Sequence, residues 1–199
     1  QSFTTPWLAL GWQVNDAVLA YTSWGQGVES EVAPGRTRYT NAGQALPALK
    51  SRQIEAGLKH RGERLQWQLA VFDTQRPLWS DIRAATGLPT DACADTDPCT
   101  RRADGTARHR GIEAEAEWRI GALALRGSAL VLQARREDGA DPTRNGLKPT
   151  NVPERSLKLQ AAWNLAAIPG LALLGFASHE GERMVLPDNS IATDGWTRV

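Results

Sequence analysis

Two polar stretches carry the side chains best able to hold a ligand: Arg36, Arg38 and Tyr39 in one, Arg101 and Arg102 in the next. Guanidinium groups bring charge and planar stacking, and a phenol ring brings a second stacking face. Arginines in such stretches also serve simply to keep a surface loop solvated. A row of carboxylates, Glu113, Glu115 and Glu117, recurs at every second residue. Hard cations need ligands converging from several directions, whereas these spread along one strand, so a solvated wall paired with Arg126 or Lys59 of neighbouring strands is the better account. His60, His109 and His179 could each act as a base, but no Ser or Asp context marks a nucleophile and Gly-x-Ser-x-Gly does not occur. No catalysis is expected. Cys93 and Cys99 lie in a polar loop rich in Asp, and the nearest histidine is His109. Zinc would want more ligands close by, so a small loop disulfide and an oxidising compartment are expected.

These residues are set between eight segments of alternating polarity that run in hairpin pairs. The pairs are 6–14 with 17–24, 52–60 with 64–73, 110–120 with 123–135, and 156–165 with 171–185. Short turns at Asn15-Asp16, Gly62, Gly121-Ala122 and Ile168-Pro169-Gly170 join them. Longer polar stretches, around residues 27–50, 77–107 and 137–154, separate the pairs. A ninth strand begins at Trp196. Strands of about nine to eleven residues, with short turns at one end and long loops at the other, are the pattern of a transmembrane β-barrel whose short turns face the periplasm and whose long loops face outside.

Alternation sorts the faces. Ile112, Ala114, Ala116, Trp118 and Ile120 fall on one side of their strand, and Gly111, Glu113, Glu115, Glu117 and Arg119 on the other. The segment 52–60 sets Ile54, Ala56 and Leu58 against Gln53, Glu55, Gly57 and Lys59, and 156–165 sets Leu157, Leu159, Ala161, Trp163 and Leu165 against Ser156, Lys158, Gln160 and Asn164. For 17–24 and 171–185 the pattern leaves the faces open. A soluble antiparallel sheet alternates too. The tryptophans favour lipid: Trp12, Trp67, Trp118 and Trp163 all lie on the apolar face, each close to its own short turn, where indoles at one height would form an interfacial girdle.

Bulk composition would mislead. Mean hydropathy is −0.40, hydrophobic residues make up 41% of the 199, and no apolar run reaches the eighteen residues that a membrane helix needs. Barrels escape such measures because only alternate residues meet lipid. With 23 basic and 22 acidic side chains mixed along the chain, no basic stripe for nucleic acid exists. Nor does Gln1–Thr5 have the basic and apolar character of a signal peptide, so the chain is expected to begin inside a longer precursor.

Six fragments resemble TonB-dependent siderophore receptors, in order and at similar spacing. They are Tyr21-Thr22-Ser23-Trp24-Gly25-Gln26-Gly27-Val28-Glu29-Ser30, the strand Leu49–Lys59 with its Ile54-Glu55-Ala56-Gly57-Leu58-Lys59, Phe72-Asp73-Thr74-Gln75-Arg76-Pro77, Arg110-Gly111-Ile112-Glu113, Asn151-Val152-Pro153-Glu154-Arg155, and Gly195-Trp196-Thr197-Arg198-Val199. The resemblance implies an all-β antiparallel meander that forms about eight strands of a 22-stranded outer-membrane barrel. It implies import of a ferric siderophore with energy from TonB in the complete receptor of a Gram-negative bacterium, its barrel set in outer-membrane lipid. On that reading residues 1–199 are a single segment of the barrel, with plug, coupling box and remaining strands lying outside them. Ferric siderophores are commonly anionic or catechol-bearing, which suits Arg36, Arg38, Tyr39, Arg101 and Arg102. The alternatives are a self-contained eight-stranded barrel acting as porin, adhesin or enzyme, and a soluble β-sandwich.

Overall fold

The structure, a computed structural model, describes residues 2–199. Eight long strands run as an antiparallel meander: β1 (Trp7–Asn15), β2 (Val18–Glu29), β3 (Leu49–Arg61), β4 (Leu65–Arg83), β5 (Cys99–Ile120), β6 (Leu123–Glu137), β7 (Arg155–Asn164) and β8 (Ala172–Glu180). After β8 come a small hairpin of β9 (Arg183–Met184) and β10 (Ala192–Thr193), then β11 (Trp196–Arg198), which returns to pair with β8. Every long strand pairs with its neighbour in sequence, and β1 pairs with β2 alone among the described residues. The sheet therefore stays open between β1 and β8, unlike the self-contained eight-stranded barrel.

Two sequence-based boundaries need correction. About half of the stretch 77–107 is strand: β4 and β5 stay paired, through one shift of register, up to Arg83 opposite Cys99, leaving 84–98 as loop. Its polar alternation reads as loop because this ribbon rises beyond the apolar band and has no oily face to announce it. The segment 171–185 is strand only from Ala172 to Glu180, since Gly181 and Glu182 break the ladder before β9. The other two long loops shorten to 30–48 and 138–154 as β2, β3 and β6 extend.

Register settles the faces that alternation leaves open. In β2, Ala20 stands opposite Leu58 and Trp12, and Trp24 opposite Ile54 and Leu8, so Val18, Ala20, Thr22 and Trp24 take the outer face. Tyr21 turns inward and donates its hydroxyl to Glu55 at 2.6 Å. In β8, Leu173 stands opposite Trp163 on the outer face, whereas Leu174 and Phe176 stand opposite Ala162 and Gln160 on the lumenal one. Lumenal Gly57 and Gly111 leave room for rings from the next strands, because a Cβ at either would run into Tyr21 or Phe72.

The outer face is bare oil: Leu8, Leu10, Trp12, Ile54, Leu69, Val71, Ile112, Leu157, Leu159 and Trp163 are all exposed. A water-soluble domain would bury so large a patch, and a membrane barrel turns it to lipid. Register also gives the tilt. The ladder line through Trp12 meets β4 at Leu69, and Trp67 lies two residues nearer its short turn. The line through Trp67 meets β5 at Ala116, and the line through Trp118 meets β7 at Ala161. Trp118 and Trp163 are again two residues nearer their turns. The girdle thus drifts six residues across six strand-to-strand steps. One residue per strand, with a rise of about 3.3 Å and a strand spacing of about 4.8 Å, corresponds to a tilt of roughly 35°, as membrane barrels require.

Ala114 and Leu159 fall at mid-band on the outer face by the same geometry. Replacing either with Arg should cost about 2 to 4 kcal/mol in the complete receptor, measured by unfolding from lipid, whereas Glu115→Arg and Gln160→Arg on the lumenal face should cost little. Equal sensitivity of the two faces would contradict the assignment.

Candidate ligand-binding site at the loop end of the lumen

Few residues are buried, and most of them cluster beyond the apolar band: Ala33, Tyr39, Ile82, Cys99, Ala107 and Ala134. This small core forms where the first two loops fold against the extended ribbon of β4 and β5. The ribbon changes register between Pro77 and Trp79, opposite Thr106 and Ala103. Pro77 has no N–H to place in a ladder, and Gly105 sits across from it at φ +69, in the left-handed region that a β-bulge uses. A Cβ on Gly105 would strike the backbone of Glu137 and Gly139. The bulge directs Asp104 into the protein, where it is 5% exposed and accepts from the Ala140 N–H at 2.7 Å.

Each long loop is clasped to the next. Tyr39 of the first loop forms a parallel bridge with Cys99 of β5. The Asn41 side chain accepts from the Arg101 N–H at 3.0 Å and donates to its carbonyl at 2.7 Å. In the second loop Cys93 and Cys99 form a disulfide, with Cα atoms 5.6 Å apart, and Arg83 pairs with Asp97 at 2.7 Å. In the third loop Asp141 caps a 3-10 turn, Pro142–Arg144, by accepting from the Thr143 N–H, and Arg144 reaches back to Asp91 at 3.1 Å. Asn189 in the fourth loop grips both backbone groups of Lys148. Four loops are fixed by three side-chain clasps.

Beneath them, on the lumenal side, lies a cavity of about 460 Å³ whose lining includes Arg76, Trp79, Arg101, His109, Arg136 and Arg144. Three of its four guanidiniums are well matched. Arg76 holds Glu29 through three hydrogen bonds, the shortest 2.8 Å. Arg101 sits between Glu31 at 2.7 Å and Asp81 at 3.2 Å. Arg144 lies between Asp91 and Asp141. Arg136 is different: its side chain is 11% exposed, and its nearest carboxylate, Asp104, is 4.0 Å away. Burial first, then the neighbouring Arg144, push its pKa below the usual arginine range. Beside it, burial and Arg76 depress the His109 imidazole, whose Nδ1 is buried without a hydrogen-bond partner.

The structure disperses the five sequence-predicted ligand residues. Tyr39 is buried, and its hydroxyl donates to Asp81 at 2.8 Å; burial and that bond raise its pKa. It serves as a strut under the loop. Arg101 lines the cavity. Arg38 is half-buried among the loop contacts, while Arg36 and Arg102 are exposed on the surface. His109 was weighed in the sequence only as a base, and Trp79, Arg136 and Arg144 had no distinguishing sequence signal, because strand parity, the register shift and the loop clasps together turn these four toward one cavity. Elsewhere on the lumenal wall Glu117 pairs with Arg126 at 2.6 Å and with Arg119 at 2.7 Å, and Lys59 lies over the Tyr21 ring at 4.7 Å. No group of carboxylates, histidines or cysteines suited to a metal ion occurs among the described residues. His60 stacks on Trp67 and His179 contacts Thr197, both on the outer face and far along the ladder from His109.

An apolar outer face, a charged lumen, tilted strands and a loop-covered cavity define the wall of an outer-membrane barrel receptor. The profile of the TonB dependent receptor-like β-barrel family matches residues 1–199, and the chain belongs to that family. It is 27% identical over 162 residues to the ferrichrome receptor FcuA of Yersinia enterocolitica, a match covering 80% of this chain and 19% of that protein. The fold matches BauA, the ferric preacinetobactin receptor of Acinetobacter baumannii, with TM-score 0.74 and 24% identity, over 97% of this chain and 28% of that one. It also matches the ferric yersiniabactin uptake receptor FyuA of Yersinia pestis, with TM-score 0.71 and 18% identity, over 96% and 28%. The chain thus spans about a fifth to under a third of the length of these relatives. They are receptors, not enzymes, and the family resides in the Gram-negative outer membrane.

Because the folded state disfavours protonation of His109, this residue contributes stability that is present above the ordinary imidazole value of about 6.5 and is lost as pH falls through the lower folded value. Thermal unfolding of the complete receptor between pH 7.5 and 5 should show a shallower acid loss for His109→Gln than for the parent. Identical pH profiles would show that the ring is not held neutral.

Proposed function

We propose that this chain forms wall and mouth of a receptor for a ferric siderophore, and that the cavity under the loops holds part of the ligand. One observation carries the reading: Arg136 is a charged group set in a cavity wall with no carboxylate closer than 4.0 Å. A buried guanidinium without a close counter-ion is costly, and an anionic ligand would complete it. Trp79 supplies a flat apolar face beside it, and the paired Arg76, Arg101 and Arg144 keep the wall rigid. Transport itself would be a property of the complete receptor, with energy relayed by TonB. The plug domain and remaining strands of the barrel would lie outside residues 1–199, and the short turns would face the periplasm.

Ferrichrome and ferric preacinetobactin, the ligands named for two relatives, are the first probes. Binding to the complete receptor should quench tryptophan fluorescence, and Arg136→Gln should weaken it roughly ten- to a hundredfold, since a charge-assisted bond is lost. Arg135→Gln, one residue away on the outer face, should leave affinity unchanged. Equal loss in both variants, or none in either, would dismiss Arg136 as the anchor, and failure of a panel of ferric siderophores to bind the parent would dismiss the function.

A further inference from the structure

The four arginines around the loop-end cavity are not equivalent toward a ligand. Arg76 is closed by Glu29, Arg101 by Glu31 and Asp81, and Arg144 by Asp91 and Asp141, with shortest contacts of 2.8, 2.7 and 3.1 Å. Three guanidiniums thus face five carboxylates and have no charge to spare. Arg136 is the exception. Its nearest carboxylate oxygen, on Asp104, lies 4.0 Å away, beyond hydrogen-bond distance, and Asp91 and Asp141 act on it only from farther off. The remaining basic group of the lining, His109, is held neutral at neutral pH by burial and by Arg76, and no lysine lines the cavity among the described residues. The wall therefore offers an anion one positive charge and no second one.

Access narrows the choice further. The Arg136 side chain is 11% exposed, so only a slim terminal group can reach its fork, and the bulk of an iron chelate must stay outside. The surface around that point is largely apolar, with Pro77, Leu78, Trp79, Pro149, Val152 and Pro187 in the lining. It suits the methylene stem of an arm and disfavours a second charged group. A carboxylate is planar, ionised at neutral pH and matched to the two parallel N–H bonds of a guanidinium fork. A catechol bound to iron(III) has both oxygens committed to the metal at the centre of the complex, too far in to reach a recessed guanidinium. Three catecholates also leave the iron complex with three negative charges, which would stand beside Glu29, Asp81 and Asp91. Three hydroxamates leave it with none.

We infer that this cavity binds a single free carboxylate, carried on an arm of a ferric chelate whose iron-binding core is uncharged, as in a ferric trihydroxamate. The inference rests on the reading of the cavity as a siderophore site and deepens it by naming the ligand class. In the bound state the carboxylate closes the Arg136 fork from the cavity side, Asp104 stays behind it with its hydrogen bond from the Ala140 N–H, and the stem of the arm lies against Trp79 and the prolines.

The test uses the complete receptor and one chelate core with three different ends: ferrioxamine B, a trihydroxamate whose arm ends in an ammonium group, its N-acetyl derivative with no charge there, and its N-succinyl derivative with a free carboxylate. Ferric enterobactin supplies the tricatecholate. Quenching of tryptophan fluorescence gives each affinity. The N-succinyl form should bind about tenfold tighter than the N-acetyl form, or more, one charge-assisted bond being worth about that factor, with ferrioxamine B and ferric enterobactin weaker than both. Arg136→Gln should bring the ratio of N-succinyl to N-acetyl affinity close to one, and Arg136→Lys should keep part of it. Equal binding of the two derivatives by the parent, a ratio unaltered in Arg136→Gln, or tightest binding of ferric enterobactin would overturn the inference. So would failure of all four while ferrichrome or ferric preacinetobactin binds, an outcome that leaves the receptor function standing. Failure of every ferric chelate would instead dismiss the receptor function, and the inference with it. If Arg136→Gln does not fold, the order of the four chelates on the parent decides.

Discussion

Inside a membrane no water is available to satisfy a peptide group, so each strand must give its N–H and C=O to a neighbour along its whole length. The rest of this structure depends on that constraint. It forces one unbroken ladder from β1 to β8, and a ladder has a register. Because side chains alternate, a slip of one residue would carry every leucine of a strand to the lumen and every glutamate to the lipid. The ladder departs from regularity only where the constraint is relaxed. One shift lies between Gln13 and Asn15 at a short turn, and the other lies at Pro77 and Trp79, above the apolar band.

Water returns at the loop end, and with it a different way of holding structure. There the chain uses single side chains that grip two backbone groups at once, Asn41 on Arg101 and Asn189 on Lys148, with arginine and carboxylate pairs between the loops. Exposed ion pairs contribute little individually. Their effect here is positional, since each joins a loop to the next element along the rim, and a cavity between loops and wall exists only while the loops stay in place. The few buried apolar residues at this end, Ala33, Tyr39 and Ile82 among them, are enough to seat the loops and too few to form a domain without the ribbon beneath.

Legibility in the sequence followed the same division. Where lipid imposes alternation, as in 110–120 with its isoleucines, alanines and glutamates, faces and partners could be read from one strand alone. The short turns and the tryptophan girdle were legible for the same reason. In β2 and β8 both faces carry apolar residues, so Leu19, Leu174 and Phe176 became interpretable only through what stands opposite them. Above the band the signal vanishes: Ser80, Asp81 and Arg101 alternate in a ladder without any contrast of polarity. Tyr39 illustrates the cost. An aromatic beside arginines suits a ligand, yet the fold uses it as a buried strut on Asp81.

Arg135 and Arg136 show how completely position decides chemistry here. They are adjacent and identical in type, and nothing in the sequence separates them. In β6 they fall on opposite faces: Arg135 stands opposite Arg108 on the outer wall, and Arg136 opposite Ala107 on the lumenal one. On the outer face the Arg135 guanidinium is half exposed and lies 3.6 Å from Glu154. Inside, the same group is pressed under a loop with its closest carboxylate 4.0 Å distant, in surroundings where unpaired charge is expensive. Within the fold, only Asp104 at that distance, with Asp91 and Asp141 farther off, offsets the charge. The ladder that membrane burial imposes thus distributes the protein's arginines between two surfaces with different surroundings, and it does so through the parity of residue number.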